Sequence, residues 1–451
     1  MFDKIVVANR GAIAARVLRA LNEMGIKSAA VYSEADYGAP YLAMASETYA
    51  IGPAPARESY LNQDALLEVV RQSHADGLHP GYGFLAENPE FAQRVQVAGA
   101  RFIGPSPKWI AAMGHKTRAR ELAAQYGMPM MQGSGTLPAE PDAILAAARA
   151  IGYPVLVKPA AGGGGIGMLP AKDESELLAA VERSRSMASR SFGTTEVYLE
   201  RLFERPRHVE FQVLGDQHGA AAHLFERDCS AQRRNQKVIE EAPAPGIERA
   251  RAGVVADQIA AIMRQMGYDN IGTIEMLMGA DGSFNFLEMN TRLQVEHGVT
   301  EEVTGVDLVK AQIRSAAGER LGAILPATIA VTGHAIQARV YAEDPQNFFP
   351  SPGKLTVFRP PADKSIRVET GYAEGRDVTP HYDPLIAKVI VHAANRDAAI
   401  ERLAHALGAF DVKGPKTNIP AVLAVLRSEQ FRAGQVHTGI IPEVLAQAKK
   451  S

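Results

Sequence analysis

Between Phe284 and His297 the chain alternates in character, reading FNFLEMNTRLQVEH. Its odd positions, Leu287, Met289, Thr291, Leu293 and Val295, are mostly apolar; its even positions are Glu288, Asn290, Arg292, Gln294 and Glu296. A strand sends successive side chains to opposite faces, so an extended chain here lines one side with all five polar groups. Upstream, Thr273-Ile274-Glu275-Met276-Leu277 is also strand-like, and Gly279-Ala280-Asp281-Gly282-Ser283 joins the two runs. Asp-Gly is a strong hairpin signal. With Asp281-Gly282 at the turn centre, Glu275 faces Glu288. Two carboxylates opposed at roughly 5 Å repel by roughly 3 kcal/mol at an effective dielectric of about 20. A shared proton or a divalent cation relieves this, and with Asn290 alongside, the oxygen-rich set suits Mg²⁺ or Mn²⁺. The plainer alternative is a half-exposed strand with a solvated polar face.

Elsewhere the apolar pattern changes period. Ile5–Ala8 reads as a strand, Ala12–Met24 as a helix, Ser28–Tyr32 as a strand and Leu61–Gln72 as a helix. This alternation predicts a doubly wound parallel sheet, an α/β beginning. Its Gly-rich turns, Asn9–Gly11 and His79–Phe84, are candidate ligand loops. A helix at Lys116–Tyr126 precedes a linker. A compact unit follows: helix Asp142–Ile151, strand Val155–Lys158, a Gly-rich turn, strand Met168–Pro170, helix Glu174–Ser184 and strand Val197–Glu200. The strand His208–Leu214 leads into the remainder, from Val209, which contains the hairpin and finishes with His334–Tyr341, Leu385–His392, a helix at Asp397–Gly408 and Val422–Leu426.

Composition narrows the classes of function. A chain of 451 residues has room for about three domains. A net charge of -2 gives no preference for nucleic acid or an anionic membrane. The lone Cys229 excludes an intrachain disulfide and fits a reducing compartment. The apolar stretch Leu321–Val331 is too short to span a bilayer and contains Pro326. The chain opens on strand-like KIVVAN without a signal-peptide pattern. The expectation is a cytoplasmic enzyme.

Lys158 ends an apolar strand and is followed by Gly162-Gly163-Gly164-Gly165-Ile166-Gly167-Met168. Four glycines expose backbone N–H groups able to close over phosphates, with Lys158 as a point charge. Pro170 argues against the helix that a dinucleotide fingerprint should open. Val197–Phe203 could hold adenine through its backbone, with Glu200 as an acceptor, or be a core strand with a charged end. Gln232-Arg233-Arg234-Asn235-Gln236-Lys237 reads more simply as a solvated face than as a site.

These pieces together resemble a biotin carboxylase of the ATP-grasp superfamily. The resemblance spans the chain and rests on HPGYGFLAEN (His79–Asn88), GGGGIGM (Gly162–Met168), RPRHVEFQVLGD (Arg205–Asp216), ERDCSAQRRNQKVIEEAPAP (Glu226–Pro245) and FLEMNTRLQVEH (Phe286–His297). It implies an N-terminal domain over 1–112, an ATP-grasp domain over 113–330 with a lid at 131–203, and a C-terminal domain over 331–447. It also implies MgATP- and bicarbonate-dependent carboxylation of biotin through carboxyphosphate. The nucleotide would meet Lys116, Lys158, Gly163, Gly164, Gly165, Met168, Glu200, Arg201, Leu202, Phe203, His208, Gln232, Asn235 and Leu277. Glu275, Glu288 and Asn290 would hold Mg²⁺ or Mn²⁺. Lys237, Arg292, Gln294 and Val295 would bind bicarbonate, Glu296 would be the base, and Tyr82 and Arg339 would meet biotin.

No lysine here is followed by methionine, as a biotinyl lysine within Met-Lys-Met would be, so the resemblance implies biotin carried by another chain. A carboxyltransferase and a homodimer are implied too. Ile166, Ala12 and His115 depart from the usual Arg or Lys, Glu and Asp. Pro159 and Ile166 leave open carboxylation of a free small substrate such as urea or guanidine, and Ile166 a low-activity nucleotide-binding subunit.

Overall fold

Five parallel strands open the chain, in the order Glu47–Ala50, Lys27–Tyr32, Lys4–Val7, Gly77–His79, Arg101–Phe102. This is the doubly wound sheet the alternation predicts. The helix Gly11–Met24 buries Ile13, Val17, Leu18 and Leu21 and stops at left-handed Gly25. The computed structural model describes residues 1–161 and 166–448; Gly163, Gly164 and Gly165, expected at the phosphates, lie outside the described residues.

The predicted lid unit is a three-stranded antiparallel sheet, Leu169–Ala171, Val155–Pro159, Val197–Arg201, covered by helices Pro141–Ile151 and Glu174–Phe192. The second helix runs past the expected Ser184. Asp173 caps its start through the N–H groups of Ser175 and Glu176, and no helix breaker intervenes before Gly193.

One eight-stranded sheet supplies most of the candidate chemistry. Its order is Phe284–Asn290, Asn270–Met278, Arg207–Gly215, Ala221–Arg233, Gln236–Ala242, His334–Tyr341, Leu385–Ala393, Arg367–Glu369. Gln236–Ala242 pairs with His334–Tyr341, so the ladder continues unbroken into the C-terminal strands.

The hairpin differs from its prediction in two places. Gly279 N–H donates to Ser283 and Gly282 is left-handed (φ 77°), giving a three-residue loop that pairs Leu277 with Asn285. A bulge beside Met276 restores the expected register, and Glu275 pairs with Glu288. The strand also stops at Asn290; it does not extend to Glu296. The Thr291 N–H leaves the ladder for the Glu87 carboxylate, 3.2 Å away, and a helix starts at His297. No described helix is long and apolar enough to cross a membrane.

The N-terminal and C-terminal parts meet backbone to backbone at Gly371, where an added Cβ would lie 2.3 Å from Gly11 Cα. Gly371→Ala is therefore expected to destabilise the fold by about 2 kcal/mol through overpacking, measured by urea unfolding.

Candidate functional site

Strand register builds the centre of the site. Arg227 pairs with Glu210, Glu210 with Glu275, and Glu275 with Glu288, so four strands carry one row of charge. Directly paired residues share a face. Arg227 is fully buried and donates to Glu210 (2.6 Å), Gln212 and Thr300 (both 2.8 Å). Lys237 reaches the row from the strand beyond, donating to Glu210 (2.6 Å), Glu275 (2.8 Å) and Glu296 (2.7 Å).

The Gln232–Lys237 cluster is therefore not a solvated face throughout. Arg233 pairs with Gln236, and Arg234 and Asn235 both have positive φ (48° and 62°), making a tight two-residue hairpin. Asn235 is exposed at its tip, whereas Lys237 turns inward. Gln232 is buried and bonds the His208 ring at 2.9 Å. His208 in turn lies 3.0 Å from Glu275.

Burial opposes charge on Glu275, but Lys237 and His208 outweigh it and hold the carboxyl well below its usual range. Glu296 behaves likewise: burial raises it, and Lys237, Arg339 and Arg227 more than compensate. It rests as a carboxylate, fully buried, 3.0 Å from Arg339. Burial also opposes the Arg339 charge, but Glu240, Tyr341 and Glu296 secure it. Glu240 accepts from both Arg339 and Gln337.

Arg292 stands at the open side, donating to Glu87 (2.7 Å), Asn290 Oδ1 (2.7 Å) and Gln294 Oε1 (3.2 Å). The Asn290 and Gln294 amides both donate to Glu275, at 2.9 and 3.0 Å. Lys116 lies 3.3 Å from half-buried Glu288. Glu87, Lys116, Glu288, Asn290 and Arg292 line a cleft of about 390 Å³ with Leu287 and Thr291. Glu288 and Asn290 stand on the cleft wall, and Glu275, paired with Glu288, accepts from Asn290 and Gln294; the hard oxygen atoms of the three are of the kind that suits Mg²⁺.

On the nucleotide side, Lys158 is buried and donates to Glu200 at 2.7 Å. Arg120 donates to the other Glu200 oxygen at 2.5 Å. Glu200, expected either as an acceptor at adenine or as the charged end of a core strand, is buried with one oxygen on Lys158 and the other on Arg120, and it orients Lys158. The N–H groups of Arg201 and Leu202 are taken by the carbonyls of Gln132 and Pro154. Phe203 follows them, half-buried. Leu277 pairs with His208 across the sheet, and Met168, half-buried, leads into the strand at Leu169. Burial and Glu369 push the Tyr82 phenol up, against the opposing charge of Arg339.

Sequence reasoning misses Glu87, Glu210, Glu240, Arg120 and Lys388, whose ammonium donates to the Val295 carbonyl at 2.9 Å. Glu210 has a signal, since His208, Glu210 and Gln212 alternate with apolar residues along one strand.

Comparison with known proteins defines the class. Residues 115–324 match the carbamoyl-phosphate synthase L chain ATP-binding domain, flanked by a biotin carboxylase N-terminal domain over 1–110 and a biotin carboxylase C-terminal domain over 337–443. Biotin carboxylase 2 of Bacillus subtilis is 46% identical over 445 residues, covering 99% of this chain and 100% of that protein. The biotin carboxylase of Pseudomonas aeruginosa is 46% identical over 451 residues, covering 100% of each. Among solved structures, a Campylobacter jejuni biotin carboxylase in complex with β-γ-ATP gives a TM-score of 0.94 at 39% identity, covering 98% of this chain and 99% of that one. The biotin carboxylase domain dimer of Hydrogenobacter thermophilus 2-oxoglutarate carboxylase, with MgADP, ADP and bicarbonate, gives 0.93 at 41% identity, covering 99% of each chain. The chain belongs to the biotin carboxylase family of ATP-dependent ligases.

Removing the shared ammonium tests the electrostatic account. Lys237→Met is expected to cost about 3 kcal/mol at neutral pH, because the Glu210, Glu275 and Glu296 carboxylates lose a common partner. Glu275 is depressed below its ordinary 4.5 in the folded state, so the difference from wild type is full above that pH and closes as pH falls. Urea unfolding at several pH values measures it.

Proposed function

We propose that the chain catalyses the MgATP- and bicarbonate-dependent carboxylation of biotin presented by a separate carrier, as the first half of a carboxylase reaction. The observation that carries this is the convergence of Lys237 and Arg339 on the buried Glu296, beside the buried Gln294 and its partner Arg292 at the cleft. Two cations and an amide suit a small planar anion next to an ionised base.

Lys237 and Arg292 would bind bicarbonate, with Gln294 and the Val295 N–H completing its cradle. Glu296 accepts the bicarbonate proton as the carbonate oxygen attacks the γ-phosphorus and ADP departs. Carboxyphosphate then breaks to CO₂ and phosphate; the released phosphate takes the N1 proton of biotin, and N1 bonds to the CO₂. Arg339 would neutralise the ureido oxygen as negative charge develops there, with Tyr82 close by. Lys116, Lys158 and His208 would meet the phosphates, while Leu277 and the Glu200–Phe203 segment would bound adenine. Glu275, Glu288 and Asn290 would hold Mg²⁺, which neutralises phosphate charge when bound.

Domain limits near 1–112, 113–330 and 331–447 accompany this reading, as do a biotin carboxyl carrier protein, a carboxyltransferase, a homodimer and a cytoplasmic setting. The final carboxyl acceptor is a property of the carboxyltransferase. Phosphate release from ATP should require bicarbonate and rise with free biotin; release indifferent to both overturns the reading. Glu288→Gln should lower kcat by about 100-fold and raise the Mg²⁺ needed for half-maximal rate. An unchanged Mg²⁺ dependence would contradict the metal assignment.

A further inference from the structure

The segment Thr291–Glu296 carries Arg292, Gln294, Val295 and Glu296, yet it lies between a strand ending at Asn290 and a helix starting at His297. Its backbone must therefore be fixed from outside the ladder. Two side chains do this at neighbouring peptide planes. The His297 ring bonds the Gln294 carbonyl at 2.7 Å, and Lys388 donates to the Val295 carbonyl at 2.9 Å.

In a trans peptide the carbonyl and the following N–H point opposite ways. Holding the Gln294 carbonyl against His297 turns the Val295 N–H away from that ring. Lys388 then fixes the next plane, so the two bonds bracket Val295. Lys388 is fully buried, faces Arg339 across one ladder and Glu369 across the next, and pairs with Glu369 at 2.5 Å. Burying an ammonium against one carboxylate and one backbone carbonyl is a poor route to stability alone, because desolvation offsets the attraction.

We propose that Lys388, through the Val295 carbonyl, is a positioning residue that orients the bicarbonate-binding loop; this rests on the function proposed above. The same strand pair then sets both the Arg339 guanidinium and the anion cradle. Lys388→Met removes the donor at nearly constant length, and Lys388→Arg keeps a charged donor. The double variant Lys388→Met with Glu369→Met also removes the carboxylate that the single variant leaves behind.

Hydrogen exchange read by mass spectrometry tests the clamp without reference to activity. Peptides covering residues 291–299 should exchange about fivefold faster or more in Lys388→Met and in the double variant, while the 270–290 hairpin stays within about twofold. Unchanged exchange of 291–299 in both overturns the proposal. Kinetics test the consequence: KM for bicarbonate should rise about tenfold, with KM for MgATP within about threefold, and Lys388→Arg should recover most of the loss. A loss spread equally over both substrates, or no recovery with arginine, also overturns it. Wild-type protein without bicarbonate-dependent ATP cleavage would remove the proposed function, and exchange would still decide the clamp.

Discussion

One ammonium group holds the centre of this protein together. Lys237 touches Glu210, Glu275 and Glu296, three buried carboxylates drawn from different segments. Their mutual repulsion in a dry interior would be severe without it. Arg227 and Arg339 secure the outer members, so the cluster is a lattice of alternating charge. Each of its carboxylates is paired with a cation of the protein itself. Such a site is built before the substrate arrives.

The lattice draws on distant parts of the chain. Glu87, from the N-terminal region, bonds both Thr291 and Arg292, while Arg339 and Lys388 come from neighbouring C-terminal strands. The unbroken ladder between Gln236–Ala242 and His334–Tyr341 transmits the geometry of one region directly to the other. The close approach of Gly11 to Gly371 ties the N-terminal sheet to the same frame. Rigid strands set distances within the cluster, whereas the short irregular segment Thr291–Glu296 presents its side chains from outside any ladder.

The three unusual residues all lie outside that lattice. Ala12 is buried in the first turn of the helix Gly11–Met24. His115 contacts Glu196 at 3.5 Å and Thr117 at 3.1 Å, just ahead of Lys116. Ile166 is 47% exposed beside the glycine run. Ile166 brings no charge there, and the cation that ends the preceding strand, Lys158, is held by Glu200.

The local message of the sequence is strong where periodicity and turn chemistry act over a few residues. Alternation exposes the row Glu288, Asn290 and the strand facing it, and the opening helix and sheet follow from apolar spacing. Even the Glu275–Glu288 register is legible, although a longer turn and a bulge cancel to give it. Family likeness carries the further assignments to Lys237, Glu296 and Arg339. What no local pattern can reveal is which remote strands lie side by side. Alternation marks Glu210 as a polar position but not its partner, and Glu240 and Lys388 become legible only once the sheet order brings them against Arg339 and Val295. The exposed-looking Gln232–Lys237 run hides an inward lysine for the same reason. A chain writes its periods residue by residue, but the partner of a buried charge is chosen by packing between segments that are far apart in sequence.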